Sequence, residues 1–327
     1  MKKINLAIIG AGPVVQYCHL PVILKNHKIN LNCIVDKDEI LLDKISKKYL
    51  IPHKYNNFNK LIKNSHIFDA ALIALDPSQN LRIVKKLSTL KKSILIEKPG
   101  ATNLADMIKI INYSEKNKSF IQIGYMKLFD KSLKKLRTDI KKDMSIAVHN
   151  HFMSYGGKAF ASDFVKKRKK NSQVRVSKKI KDKKYFLKWL NTHSHVISYL
   201  HHIYRDLRFY KVLMFEKKII LLFQTKKNFI QVDSGFIFSR KWNEKIIINT
   251  VNHKKELVFG PNNNMKKFNI FFKIKTKRII YRSYISQMFK EQLDYFTNMI
   301  LKNKKNNYFL NNAFKVIKTV ETIFRNV

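Results

Sequence analysis

Along residues 4–125, short apolar runs alternate with helix-compatible segments, and this rhythm restricts the fold more than any other feature of the chain. INLAIIG, INLNCIVD, DAALIALDP, KSILIEKP and SFIQIGYM each read as a buried strand. Between them lie residues 13–25, KDEILLDKISKKYL, QNLRIVKKLSTL and NLADMIKIINYSEKN, which have helical spacing. Thr102 or Asn103 stands ready to cap the last of these helices. Strands joined by helical crossovers pair in parallel, and the expectation is a doubly wound α/β domain over residues 1–122. After Gly124 the texture changes. KIILLFQT, NFIQVDSGFIF, EKIIINTVNH and KFNIFFKIKT follow one another with turn-like breaks and no helix between them. That predicts an α+β second domain, 123–327, on a mostly antiparallel sheet. Two amphipathic segments close the chain, the final helix being free to pack back on the first domain.

A chain of 327 residues with a 45% hydrophobic share can bury two cores. Cys18 and Cys33 give no disulfide framework, which suits a reducing compartment. The start, MKKINLAIIGAGPVV, imitates a secretory leader, but Gly10, Gly12 and Pro13 interrupt its apolar run. No later stretch is long and apolar enough for a bilayer, so the expectation is a cytoplasmic protein with no membrane partner. Lys and Arg number 66 against 22 Asp and Glu. These basic residues are spread along the whole chain, with Asn and Ile also abundant. Compositional drift explains that better than a nucleic-acid footprint, which favours clustered arginine. One true basic run, KKRKKNSQVRVSKKIKDKK at 166–184, reads as a solvated loop or an anion-attracting rim.

The first apolar run ends in Gly10-Ala11-Gly12-Pro13-Val14-Val15, the beginning of a G-x-G-x-x-G fingerprint with Val15 in the third glycine's place. The first glycine permits the tight turn and the second lets a pyrophosphate approach the backbone; the third mainly eases packing. Asp36 ends the second run, where an acid accepts hydrogen bonds from the adenosine ribose. Gly10, Ala11, Gly12, Pro13, Val14 and Asp36 are therefore the candidate coenzyme residues. Asp36 favours NAD, with neighbouring Lys37 leaving NADP possible. Glu97 and Lys98 join this set, since Lys98 stands at a strand's carboxyl end and the following Pro99 biases it toward extended backbone.

The segments AIIGAGPVVQYCHLP, ALIALDPSQN, ILIEKPGATN and IQIGYMKLFD, in this order, resemble the glucose–fructose oxidoreductase/inositol dehydrogenase (Gfo/Idh/MocA) family, most specifically at Glu97-Lys98-Pro99. The resemblance implies a Rossmann domain followed by an α+β domain whose open sheet joins copies into a homo-oligomer. It implies an NAD(P)-dependent oxidoreductase acting on a secondary alcohol or ketone of a small sugar, polyol or sugar derivative. Lys98 takes the family lysine's catalytic role. NTHSHVISYL supplies His195 as the second catalytic residue, with Asn191 and Ser198 where the family pattern has acids. Asn191, Ser198, Tyr125 and Lys127 become candidate substrate-binding residues, Lys127 having the alternative of a solvent-facing hinge. The departures at 191 and 198 keep a non-catalytic dinucleotide-binding protein as the alternative. His193, His201 and His202 suggest a metal, but His193 and His195 point to different helix faces and no acid or Cys cluster accompanies them; no metal is expected.

Overall fold

The computed structural model describes residues 3–131, 133–134, 137, 145–154, 176–215, 218–237, 243–250, 254–261, 268–274, 277–283 and 285–327. Residues 166–175 of the basic run lie outside these. The chain divides into two units. One gathers the residues up to Tyr125 with Phe289–Phe314, and the other holds 126–154, Ser177–Met288 and Lys315–Val327.

In the first unit the strands are β1 (Ile4–Ile9), β2 (Ile29–Val35), β3 (His53–Tyr55), β4 (Ala70–Ile73), β5 (Ser93–Glu97) and β6 (Ile121–Gly124). They pair in parallel in the order β3-β2-β1-β4-β5-β6. This is the expected doubly wound sheet, with the order reversing between β1 and β4. Helices α1 (Leu20–Ile23), α2 (Glu39–Tyr49), α3 (Phe58–Lys63), α4 (Asn80–Thr89) and α5 (Leu104–Lys116) connect the strands. Polar side chains start three of them. Asp38, Asn57 and Asn103 each accept the backbone N–H three residues on, which satisfies a donor the helix leaves open. Asn103 thus serves as the cap of α5. Helix α1 differs from expectation, because Val15–His19 winds as a π-turn before it. Pro21, with no N–H to donate one turn back, follows directly, and regular α geometry would leave that carbonyl open.

Phe289–Phe314 completes the packing of this unit. Phe296 stacks on Phe120 at 5.6 Å between ring centres, and Asp294 and Asn298 accept hydrogen bonds from Asn26 and Lys28 at 3.0 and 2.7 Å.

The second unit carries β7 (Ser145–Ser154), α6 (Lys183–Ile203), β8 (Arg208–Phe215), β9 (Lys218–Gln224), β10 (Asn228–Ile237), β11 (Asn243–Thr250), β12 (Lys254–Pro261), β13 (Phe268–Ile274) and β14 (Lys277–Ser283). Its sheet runs β14-β13-β12-β11-β7-β10-β9-β8. All pairings are antiparallel except β7 with β10. Helix α7 (Ile285–Leu301) and helix α8 (Tyr308–Arg325) follow.

Alternation decides which face is covered. Ile219, Leu221 and Phe223 of β9, Ile230, Val232 and Ser234 of β10, and Glu244, Ile246 and Ile248 of β11 are buried. Helix α6 is fixed to that buried face. Trp189 Nε1 donates to Ser234 Oγ at 3.3 Å, His193 Nε2 lies 3.2 Å from the Gly235 carbonyl, and Tyr199 stacks on His149 of β7. From α8, Phe324 packs edge-on against Phe186, and Thr319 meets His201 at 2.9 Å.

Three histidines of this unit resist protonation. Burial pushes His149 down to about 3, against the opposing pull of Glu244. Burial also takes His201 to about 4, helped by Lys315, and His202 to about 4, helped by Arg137 and Lys134. A histidine held neutral when folded takes up a proton in the unfolded chain as pH drops below its ordinary value near 6.5. Stability is therefore present above that pH and falls steadily toward pH 4. At pH 5.5 His149 alone removes on the order of 1 kcal/mol. Thermal midpoints measured from pH 7.5 to 5 should fall, and His149→Phe should flatten the dependence; a slope unchanged by that substitution contradicts the assignment.

Candidate functional site

In a doubly wound sheet the place for a ligand is the crevice at the strands' carboxyl ends, where the order reverses. That crevice is built here from the ends of β1, β2 and β4. Gly10 follows β1 with φ +99°, and a Cβ added to it would lie 2.5 Å from the Ala74 carbonyl oxygen. Only glycine fits this turn. A Cβ added to Gly12 would meet nothing within 4 Å. Its outer side is open, as a closely approaching pyrophosphate requires. Val15, in the third glycine's place, is fully buried. The turn is tied down from below: Gly10 N–H donates to Val35 O at 2.8 Å, Ala11 N–H to Asp36 Oδ2 at 2.7 Å, and Gln16 Nε2 to Ala11 O at 2.7 Å. A cavity of about 430 Å³ opens beside it, lined by residues including Gly10, Asp36, Lys37, Phe58, Asp76 and Arg82. The opened turn, the recessed acid and the cavity beside them fit a dinucleotide. Pro13 and Val14 continue the turn into the π-turn.

Two strands along, β5 ends in Glu97 and the chain turns through Lys98, Pro99 and Gly100, with a cis bond between Lys98 and Pro99. Lys98 is half-buried. Asn80 Nδ2, at the start of α4, donates to the Gly100 carbonyl at 2.8 Å. Glu97 is held from both sides: its Oε1 lies 2.6 Å from His19 Nε2, and its Oε2 accepts the Lys98 backbone N–H at 3.2 Å. His19 itself is buried, with its ring edge-on to Phe289 at 4.8 Å. Its polar partner is Glu97. Cys18 nearby is pushed up to about 12 by burial and then by Glu97, and Cys33 to about 12 by burial, so neither thiol is a nucleophile.

In the second unit, α6 presents Asn191, His195 and Ser198 at i, i+4 and i+7, on the side opposite His193. Asn191 is exposed, while His195 and Ser198 are buried. His193 is occupied by packing: its Nδ1 lies 2.6 Å from Thr192 Oγ1, and its ring stacks on Trp189. No group of three or more metal-ligating side chains occurs among the described residues. Tyr125, in the first unit, is buried. Lys127 is not a solvent-facing hinge residue. It is buried in the second unit and ion-paired with Glu244, itself fully buried. Glu244, His149, Tyr199 and Tyr204 form a polar cluster that the sequence reading missed. Burial first, and the Glu244 charge and hydrogen bond next, raise the Tyr199 phenol well above its usual value. The signal was available in β11, where Glu244 occupies the same alternation as Ile246 and Ile248.

Residues 4–125 match the model of the oxidoreductase family with an NAD-binding Rossmann fold, GFO_IDH_MocA. Residues 4–125 are thus similar to a Gfo/Idh/MocA NAD-binding domain. Myo-inositol 2-dehydrogenase from Thermotoga maritima is 27% identical over 111 residues, covering 34% of this chain and 33% of the relative. The match thus spans about a third of that curated protein. Beyond these residues the likeness is one of fold. A dehydrogenase (MviM) from Clostridium difficile superposes over 100% of both chains with a TM-score of 0.80 at 16% identity. KijD10, a 3-ketoreductase from Actinomadura kijaniata in complex with NADP and TDP-benzene, covers 99% of this chain and 98% of its own, with a TM-score of 0.79 at 10% identity.

The two glycines of the turn after β1 should respond differently to alanine. Gly10→Ala forces a side chain against backbone at positive φ and should destabilise the protein by about 1–3 kcal/mol. Gly12→Ala should keep the melting temperature but weaken NADH binding, read by fluorescence titration. If Gly12→Ala binds as well as wild type, a pyrophosphate does not pass over that glycine.

Proposed function

We propose that this chain is an NAD(P)-dependent oxidoreductase acting on a secondary alcohol or ketone of a sugar, polyol or sugar derivative. The observation that carries the reading is the Glu97–Lys98 turn, anchored at a strand's carboxyl end in the same unit as the dinucleotide cradle. The coenzyme, when bound, supplies or accepts the hydride. What the protein must supply is a place for the hydroxyl proton, because a carbonyl forms only as that proton leaves. Lys98 is assigned this role: its neutral amine takes the proton in oxidation, and its ammonium returns it in reduction. The salt-bridge-distance contact of His19 with Glu97, and the backbone bond from Lys98 to the same carboxylate, hold the turn. His195, on α6 of the second unit, keeps the second proton-handling role that its place in NTHSHVISYL implies. Asn191 and Ser198 act there as neutral hydrogen-bonding groups where acids would carry charge. Tyr125 and Lys127 are assigned to substrate positioning, Lys127 through a head group already neutralised by Glu244. A relative named myo-inositol 2-dehydrogenase supports the polyol class. Cytoplasmic placement accords with the two free, buried cysteines and with the lack, among the described residues, of any helix long and apolar enough to cross a membrane.

The decisive assay follows nicotinamide absorbance with NAD and NADP, each offered free sugars, inositols and nucleotide sugars. Lys98→Ala should lower turnover of whichever substrate responds by about 10²–10⁴-fold, with coenzyme affinity nearly unchanged. Near-normal turnover removes Lys98 from the chemistry. Tight coenzyme binding with no turnover across the panel favours the non-catalytic reading that Asn191 and Ser198 raise.

We also assign the uncovered face of the second unit's sheet to contact between copies. Ile146, Leu213 and Phe229 are exposed there, and Ile146 pairs with Phe229 across β7 and β10. Leu222 stands on the same face, between Lys211 of β8 and Gln231 of β10. A row of apolar side chains on an open sheet is what an oligomer would cover. Light scattering should give a mass that is a multiple of 38.8 kDa, and Leu222→Lys with Phe229→Lys should reduce it. A wild-type monomer at micromolar concentration ends this part of the proposal.

A further inference from the structure

We propose that His19 is a positioning residue for Lys98, acting through Glu97 and tying the Lys98 turn to the glycine turn after β1. The inference rests on the proton-transfer role assigned to Lys98 above and adds a residue that serves it from inside the first unit. His19 is too deep to touch a ligand itself. It is 1% exposed, its Nε2 lies 2.6 Å from Glu97 Oε1, and Phe289 of α7 packs edge-on against its ring. The backbone before it aims the side chain there. The π-turn Val15–His19, the only one among the described residues, ends on His19. A π-turn takes in one residue more than an α-turn, so its last residue points away from where a regular helix would send it; such turns are frequent at functional sites. The other end of the same segment is bound to the glycine turn. Val15 and Gln16 N–H donate to Gly12 O at 3.0 and 3.2 Å, and Gln16 Nε2 donates to Ala11 O at 2.7 Å. One short segment therefore spans from the turn beside the coenzyme cavity to the carboxylate beside Lys98.

Glu97 is enclosed as well as paired, its side chain being 11% exposed. Gly124 lies opposite it in β6, and a Cβ there would come 3.4 Å from Glu97 Oε1 and 3.1 Å from the Ile96 carbonyl oxygen. The glycine leaves the space into which the carboxylate fits. Glu97 Oε2 accepts the Lys98 N–H at 3.2 Å, so the carboxylate's position is carried into the backbone of the lysine. A carboxylate this deep, deprived of the imidazole, must take another donor or turn toward water. Either movement displaces the Lys98 turn. A misplacement of about 1 Å at a reacting group can lower a rate by about 100-fold.

The test uses the full chain in two arms. The first compares turnover of whichever member of the sugar, inositol and nucleotide-sugar panel responds with NADH affinity by fluorescence titration. His19→Leu should lower kcat by about 10–100-fold, while substrate KM and NADH affinity change by less than about threefold. His19→Gln keeps a side-chain donor and should recover part of the loss. Gly124→Ala should also lower kcat, with the imidazole intact; where His19→Leu does not fold, these two variants carry the comparison. The second arm needs no turnover: competitive labelling of the Lys98 amine across neutral to alkaline pH, read by peptide mass spectrometry. In His19→Leu the Glu97 charge loses its partner and acts on the neighbouring amine, so the labelling midpoint of Lys98 should rise by about one pH unit. Cys18, pushed up to about 12 by burial and then by Glu97, stays a neutral thiol near neutrality and does not offset this. Unchanged kcat and an unchanged midpoint in His19→Leu overturn the inference and leave the Lys98 reading standing. A fall in kcat matched by an equal loss of NADH affinity makes His19 a packing residue of the cradle, which also overturns it. If wild type binds NADH but turns over nothing in the panel, the oxidoreductase reading fails, and the labelling midpoint alone decides for or against the coupling of His19 to Lys98.

Discussion

The approach of Gly10 to the Ala74 carbonyl is the constraint on which the first unit's chemistry depends. At 2.5 Å from where a Cβ would sit, the carbonyl leaves that residue no side chain, and the positive φ sends the chain sharply away from β1. Because β1 lies between β2 and β4, this turn sits where the strand order reverses. The crossovers on either side leave in opposite directions, which opens a crevice between them. Asp36 then stabilises the turn by accepting the Ala11 N–H, so the acid proposed to face a ribose also fixes the loop proposed to face a pyrophosphate.

Much of this was legible beforehand because it rests on local signals. Parallel strands buried on both faces leave unbroken apolar runs, and glycine, aspartate and proline mark where each run stops. What stayed hidden was what side chains decide only after packing. Strand β3, His53–Tyr55, has no apolar run, since it is an edge strand paired only to β2. The π-turn at Val15–His19 depends on backbone bonds that periodicity does not encode. In the second unit the parallel pairing of β7 with β10 joins strands over seventy residues apart, and only the closed sheet shows it. Lys127 read as a candidate substrate-binding residue or a solvent-facing hinge. Its partner Glu244 lies 117 positions away, so nothing near Lys127 in the chain announces the pair.

The two units handle buried polar groups in different ways. In the first, Glu97 is paired with the His19 imidazole and accepts the Lys98 backbone amide. In the second unit the ion pair is dry, and the groups around it follow from its charge. Glu244 raises Tyr199, while burial keeps His149 neutral in spite of the same carboxylate.

Such a pair adds little stability relative to an apolar core of the same volume, because desolvating both charges offsets most of their attraction. What it adds is orientation. Removing either partner strands a charge among Ile246, Ile248 and Tyr199, so slipping α6 along the sheet would be costly. Tyr199 is tied to the pair through Glu244 and to β7 through its stack on His149. Trp189 and His193 fix the same helix to β10 two turns earlier. With two sets of contacts spaced along one helix, neither rotation nor translation of α6 is free. Asn191, His195 and Ser198 therefore hold fixed positions on the helix's other side. A helix bound to its sheet by aliphatic contacts alone could shift by part of a turn at small cost. The Tyr199 tie to Glu244 and the Trp189 and His193 contacts are what resist such a shift here.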